Sequence, residues 1–345
     1  MKLAVVLFNL GGPDSLEAVE PFLANLFSDP AILSVPSWMR RPLARMIAKK
    51  RGPVAREIYS RLGGRSPILE ETRAQATALE SVLRRDGEEA LVFVAMRAWK
   101  PMSGETAEAV FSYQPDRIVL LPLYPQYSST TTASSVAAWR EAAARKGLAA
   151  KELRICCYPW EEGFVAALAS RVRGALAQRT KAAEYRLIFS AHGLPQKTIA
   201  SGDPYQWQVE RTVEAVVRKA GIEKCDWRIA YQSRVGPLKW LEPATDAEIR
   251  KAGAERKGLI VVPVAFVSEH SETLVELDMD YRDLARNSGV LDYIRAPTVR
   301  IDEAFIGGLA ALVRKAVVAD GPVSCGDGRI CPRQFGKCGM SGGRA

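Results

Sequence analysis

The chain has 345 residues, 48% hydrophobic and 25% charged, a globular composition that excludes a disordered tract and allows one large or two ordinary domains. Its 48 basic against 39 acidic residues give +9, which favours an anionic partner such as a carboxylated small molecule or a membrane surface. No apolar run is long enough to span a bilayer, and no nucleic-acid-binding motif is present.

The opening MKLAVVLFNLGGPDS is apolar but short, and it runs into a turn signal without a small-residue cleavage site. It reads as a first strand, not a signal peptide, so the cytosol is the expected location. Further runs rich in Val, Ile and Leu follow: LVFVAMR, RIVLLPLYP, LRICCYP, YRLIFSAHG, WRIAYQS, GLIVVPVAF and LDYIRAP. Continuous apolar runs suit strands buried on both faces. Between them lie helix-like stretches such as RAQATALESVLRR and ASSVAAWREAAARK. Regular alternation of strand and helix predicts an α/β fold with parallel sheets. Eight strands divide into two sets of four. VLLPLYPQYSSTTT and IVVPVAFVSEHSET look alike, each an apolar strand with an internal proline (Pro122, Pro263) and then a Ser/Thr-rich turn. FNLGGP and FSAHGLP are also alike, which predicts two similar halves, 1–182 and 183–320, with a break near Ala182, a last helix over 303–319 and a tail over 321–345.

Ligands in open α/β sheets bind beyond the carboxyl ends of strands. The unusual polar motifs all fall there: NLGGPDS, MRAWKP, YPQYSSTTTASS, SAHGLP, YQSRVGPLKW and SEHSET. His192 and His270, the chain's two histidines, both end strands and are expected at equivalent places in the two halves. SEHSETLVELDMD (268–280) holds five carboxylates around His270. On an α-helix Glu272, Glu276 and Asp280 would form a stripe of like charges, which opposes the helix unless a metal ion or a moving proton offsets it. A solvated acidic face is the plain alternative. LGGPDS lacks G-x-G-x-x-G spacing and RLGGRSP lacks the Lys-Ser/Thr of a phosphate loop, so a nucleotide site is unsupported. Both are either tight turns or places where backbone approaches a large ligand.

The sequence resembles the ferrochelatases, enzymes that insert ferrous iron into a porphyrin. LFNLGGPDSLEAVEPFLANLFSD, LGGRSPI, YPQYSSTTTASS, FSAHGLP, GDPY, QSRVGPLKWLEPATD and PVAFVSEHSETLVELDMDY carry the likeness, in order, from residue 7 to about 281. The resemblance implies the chelatase fold, two Rossmann-like halves, each a four-stranded parallel sheet flanked by helices, with a cleft between. It implies that His192 and Glu272 bind iron. His270 matches the second position of the family's Asp-His-x-Glu-Thr pattern, where this chain has Glu269, and Glu276 and Asp280 match an acidic line leading away from the site. Metalation removes two protons from pyrrole nitrogens, which a histidine near neutral pKa suits. By the same resemblance the porphyrin is flanked by SWMRRPLARMIAKKR and RLGGRSPI. Met39, Ile68, Tyr124 and Trp240 are candidate walls, and Arg61, Arg65 and Arg97 are candidate propionate partners.

The segment 31–52 mixes apolar residues with Lys and Arg, as an interfacial membrane segment does, or a helix packed on the domain. A place on the inner face of the cell membrane follows from the first choice. The tail carries Cys325, Cys331 and Cys338. Many relatives hold a [2Fe–2S] cluster here. Ser129 stands where animal enzymes have a fourth cysteine, so Cys157 or Cys156 is left for that role, with Cys157 preferred as nearer the strand's carboxyl end. The expected activity is insertion of Fe2+ into protoporphyrin IX, the last step of heme synthesis. Coproporphyrin as substrate, a non-catalytic porphyrin or heme carrier, and an iron–sulfur redox protein are the alternatives. Monomer and homodimer are both open.

Overall fold

The computed structural model describes residues 1–180, 183–234 and 238–340. The expected break near Ala182 lies outside the described residues. The N-terminal part runs β1 (Lys2–Asn9), α1 (Val19–Phe27), α2 (Ser37–Ser60), α3 (Ile68–Arg85), β2 (Glu89–Met96), α4 (Ser103–Tyr113), β3 (Arg117–Pro122), α5 (Thr132–Lys146), β4 (Lys151–Arg154) and α6 (Glu162–Ala177). The rest runs β5 (Tyr185–His192), α7 (Gln196–Ala200), α8 (Tyr205–Ala220), β6 (Asp226–Gln232), α9 (Thr245–Ala254) and β7 (Gly258–Pro263). A π-helix (Glu272–Asp280), α10 (Tyr281–Asn287), β8 (Tyr293–Arg295) and α11 (Glu303–Ala319) complete it.

Two four-stranded parallel sheets form, ordered β2-β1-β3-β4 and β6-β5-β7-β8. The order is the same in both, which is the expected duplication. The central strands are buried on both faces, as their unbroken apolar runs require. Leu3, Val5 and Leu7 of β1 point into a large core that also takes Leu187 and Phe189 of β5 and Ile260 and Val262 of β7. Ala4, Val6 and Phe8 point the other way, onto Val110 of α4 and Trp139 of α5. Ile188 of β5 and Leu259 of β7 point onto Ile249 of α9 and Leu277 of the π-helix. Helix α11 comes last in the chain yet packs on α6 and α3, so it ties the second half to the first.

Three sequence expectations change. Pro122 and Pro263 are the last residues of β3 and β7, not internal ones; at the end of a strand the missing N–H breaks no ladder within it. They occupy matching registers, opposite Phe8 and Ser190. His192 and His270 do not occupy equivalent places in two halves. Both belong to the second, one at the end of β5 and the other beyond the neighbouring β7. The acidic stretch is a π-helix rather than an α-helix. The two glycine-rich motifs pack on one another as turns: Gly11, Gly63 and Gly64 have positive φ, and a Cβ on Gly12 would lie 2.6 Å from Ser66.

Candidate active site

In the second sheet the chain leaves β5 to one side for β6 and returns to its other side for β7. The crevice between the carboxyl ends of β5 and β7 is therefore a topological switch point, where open α/β sheets bind ligands. His192 is the last residue of β5, and the segment after β7 brings back Glu269, His270 and the π-helix. π geometry is rare, and where it occurs it is frequently at functional sites.

His192 Nδ1 lies 2.8 Å from Glu272 Oε2. Burial lowers the imidazole pKa, but Glu272, through its charge and its hydrogen bond, and then Glu276 outweigh burial and hold it above the ordinary histidine value. Burial would raise Glu272; the charge of His192 and its hydrogen bond, then His270 and Ser233, instead hold it well below the carboxylate range. Glu272 is thus an anion and His192 Nδ1–H donates to it. In the neutral ring Nε2 is left with the lone pair, and the side chain is 39% exposed.

Glu276 sits one step further in. The Ser233 N–H (2.9 Å), the Tyr281 hydroxyl (3.1 Å) and the Gln232 amide (3.3 Å) all donate to it. The Ser233 hydroxyl bridges Glu276 and Glu272 Oε2, the latter at 3.2 Å. Burial and then the charge of Glu272 push Glu276 up, against the Ser233 bonds. Two carboxylates are therefore driven apart, one firmly ionised and one ready to take a proton, the pattern of acid–base pairs.

His270 is buried against Phe266, ring centroids 4.7 Å apart. Its Nδ1 faces the Ser268 carbonyl at 3.1 Å, and a carbonyl can only accept, so Nδ1 carries the proton and Nε2 the lone pair. Glu269 is not available beside it: Arg295 holds it at 3.0 Å and the Thr298 N–H donates to it at 2.9 Å. Asp278 pairs with Arg282 at 2.6 Å and Asp280 with Arg61 at 2.6 Å. The expected excess of negative charge is largely offset by arginines from the chain itself. Among the described residues Glu272 and Glu276 are the two of the five carboxylates without an arginine or lysine partner.

The candidate porphyrin contacts are spread over both halves. The end of α2 runs along the π-helix, with Tyr59 Oη 3.5 Å from Ser271 Oγ and Arg61 on Asp280. Trp240 lies over Gly193, beside His192, and its indole N–H is buried without a partner among the described residues. Met39 is exposed on α2, Ile68 is buried against Gly12, and Tyr124 packs at the edge of the outer core of the first sheet. Arg65 pairs with Glu70 in an exposed ion pair. Arg97 is committed to the buried Asp29 at 2.9 Å and donates to Ser134 at 2.7 Å. Among the described residues no three His, Cys, Asp or Glu side chains are grouped to hold a metal ion. Among the described residues His192 Nε2, His270 Nε2 and Glu272 Oε1 have no hydrogen-bond partner and remain as donors.

The tail docks where β4 ends. β4 stops at Arg154, so Cys156 and Cys157 do not follow strand alternation, and both side chains lie toward the tail. The Cys156 thiol meets the sulfurs of Cys157 and Cys338. Gln208 Nε2 lies 3.1 Å from Cys331 Sγ and 3.4 Å from Cys157 Sγ. The Cys325 N–H donates to the Cys157 carbonyl at 3.2 Å, and burial pushes its thiol up to about 12. Sequence reasoning missed Ser233, Tyr205 and Gln208, although the first lies in QSRVGP and the others in or just beyond GDPY.

A family model described as Ferrochelatase matches residues 2–317. The chain belongs to the ferrochelatase family. Proteins named ferrochelatase from Phenylobacterium zucineum and Caulobacter vibrioides are 53% and 49% identical to it, over 99% and 98% of this chain and 99% and 97% of theirs. The Pelagibacter ubique ferrochelatase is 46% identical over 98% of both chains. Ferrochelatases are lyases that chelate a metal into a heme-type ring. The solved structure of SirB from Bacillus subtilis with Fe3+ overlays 93% of this chain and 98% of that one with a TM-score of 0.51 at 12% identity, a likeness of fold alone. That fold, two four-stranded parallel sheets, is the one the ferrochelatase resemblance implied.

Proposed function

We propose that the chain inserts Fe2+ into protoporphyrin IX, with His192 as the first proton acceptor. The His192–Glu272–Ser233–Glu276 line carries this reading. Nε2 of His192 takes a pyrrole proton, and Glu272 stabilises the imidazolium that forms. Glu276, with its raised pKa, is the next station for a proton, linked through the Ser233 hydroxyl. Fe2+ as substrate meets an imidazole and a carboxylate, which suit ferrous iron without a closed thiolate site that would retain it. A carrier would have no use for two carboxylates whose proton affinities are driven apart.

Two propionates, not four, match the cations available. Arg61 and Arg65 sit in exposed ion pairs that can exchange partners, whereas Arg97 is held by Asp29. Initial rates with Fe2+ under anaerobic conditions, run with protoporphyrin and with coproporphyrin, decide the point; faster turnover of coproporphyrin reverses the assignment.

The cysteine nest supports a [2Fe–2S] cluster. Gathering so many sulfurs raises the thiols of Cys156 and Cys331, and a cationic centre would remove that cost. The donor set is soft and thiol-rich, as iron–sulfur ligation requires, and since among the described residues no three of these side chains are grouped to hold a single metal ion, the thiols would close further around a cluster. Cys157, Cys331 and Cys338, with Cys325, are the residues proposed to hold it, and Cys156 lies beside them. When bound, the cluster supplies a one-electron centre. Among the described residues no helix is long and apolar enough to cross a membrane. Trp38 and Met46 of α2 are nonetheless 76% and 63% exposed among Arg40, Arg41, Arg45, Lys49 and Lys50, which supports docking of this lip on an anionic membrane surface.

A further inference from the structure

We infer that the first turn of α8 is a positioning device that ties the cysteine nest to His192, with Gln208 holding the sulfurs and Tyr205 holding the histidine. This inference rests on the cysteines being cluster ligands. It adds two residues, Tyr205 at the end of GDPY and Gln208 just beyond it, to which neither the resemblance nor the acid–base line gives a role.

The orientation of the Gln208 amide is fixed. The Tyr127 N–H can only donate, and it lies 2.7 Å from Oε1, so Nε2 must face the sulfurs. Its two N–H groups have Cys331 Sγ at 3.1 Å and Cys157 Sγ at 3.4 Å as acceptors. Gln208 is wholly buried, so no water competes for them. Hydrogen bonds to an ionised acceptor are stronger than neutral ones, so these bonds favour charge on the two sulfurs.

Three residues earlier, on the same face of the helix, the Tyr205 hydroxyl donates to the His192 carbonyl at 3.0 Å. The turn itself is clamped. Asp203 accepts from the Tyr205 N–H at 3.0 Å and from the Ser129 N–H at 2.7 Å. The tail grips the same turn, through the Lys337 N–H on the Gly202 carbonyl at 3.1 Å and Phe335 against Trp207, centroids 5.9 Å apart. Sulfurs, helix turn and the end of β5 therefore form one hydrogen-bonded unit. Displacing the sulfurs shifts the turn, and the turn sets where His192 stands relative to Glu272.

The test uses the full chain purified anaerobically, with iron and sulfide counted first. Gln208→Met keeps the length and removes the donor. It should lower the equilibrium constant for cluster reduction about tenfold, about 59 mV for one electron, read by EPR-monitored titration. Gln208→Met and Tyr205→Phe should each lower kcat severalfold with porphyrin KM unchanged, while Tyr205→Phe leaves the midpoint where it was. If Gln208→Met does not fold, Gln208→Glu keeps the acceptor for Tyr127 and must show the same pair of changes. Absence of iron and sulfide from the wild type removes the cluster reading, and this inference with it. A loaded cluster whose midpoint is unmoved in the Gln208 variants overturns the role of Gln208 alone. A moved midpoint with kcat intact in both variants overturns the coupling to His192.

Discussion

Glu272→Gln separates charge from geometry at the centre of the site. Glutamine keeps the size and can still accept from His192 Nδ1–H, whose distance to Glu272 is 2.8 Å, but a charge-assisted bond becomes a neutral one. Net values run about 1.5–3 kcal/mol for bonds to charged groups and about 0.5–1.5 for neutral ones, a difference of about 1–1.5 kcal/mol. If the difference bears on the imidazolium formed as the pyrrole proton leaves, the rate falls about tenfold at the pH optimum. Loss of a carboxylate donor to Fe2+ adds to this and shows as a raised KM for iron. The pH profile gives the sharper result. His192 must be neutral to accept a proton, and Glu272 holds its pKa above the ordinary value of about 6.5, so the acid limb of kcat/KM lies above that pH in the wild type. Removing the charge moves the limb to lower pH. Stability follows the same signs. The histidine's share is present below its unfolded pKa and lost as pH rises through the folded one; the glutamate's is present above its unfolded pKa and lost as pH falls through its depressed one. The pair therefore contributes most between about pH 4.3 and 6.5. Stopped-flow metalation from pH 5.5 to 8.5, with porphyrin binding followed by fluorescence, provides the assay. An acid limb that stays put or moves up would show that His192 is not the proton acceptor.

His192→Ala should lower metalation about 10²–10⁴-fold while porphyrin still binds, because ring binding rests on apolar area; near-normal turnover would sink the assignment. Asp280→Asn removes an exposed ion pair worth about 0–1 kcal/mol, so the melting temperature should hardly change, and porphyrin KM should fall as Arg61 is released. A clearly lowered melting temperature would mark Asp280 as structural. Asp29→Ala leaves the half-buried Arg97 without its partner and should cost up to about 3 kcal/mol by denaturant titration; a loss under about 1 kcal/mol would free Arg97 for a propionate. The wild type should be reddish-brown with about two irons and two sulfides per chain. Cys157→Ser should bleach it, whereas Cys225→Ser, in a side chain packed against the main core, should not; a Cys225 variant without colour would refute this ligand set.

The sequence by itself determined the strands, because burial on both faces writes an unbroken apolar run, and β1, β3, β5 and β7 have no other way to be covered. It also marked where polar loops leave the strands, since NLGGP, SAHGLP and SEHSET carry turn chemistry after apolar runs. The π-helix was not legible, because the spacing of Glu272, Glu276 and Asp280 suits one face of either helix and the choice lies in backbone hydrogen bonds. The partners of the acids were equally hidden: Arg61 lies 219 residues from Asp280, and local periodicity carries no trace of so distant a contact. Gln208 and Ser233 are ordinary polar residues in sequence. They became part of the site only when parallel crossovers brought α8 against the tail and the end of β6 against the π-helix. Tertiary structure likewise turned both Cys156 and Cys157 toward the tail, because β4 ends two residues earlier and its strict alternation of faces ends with it.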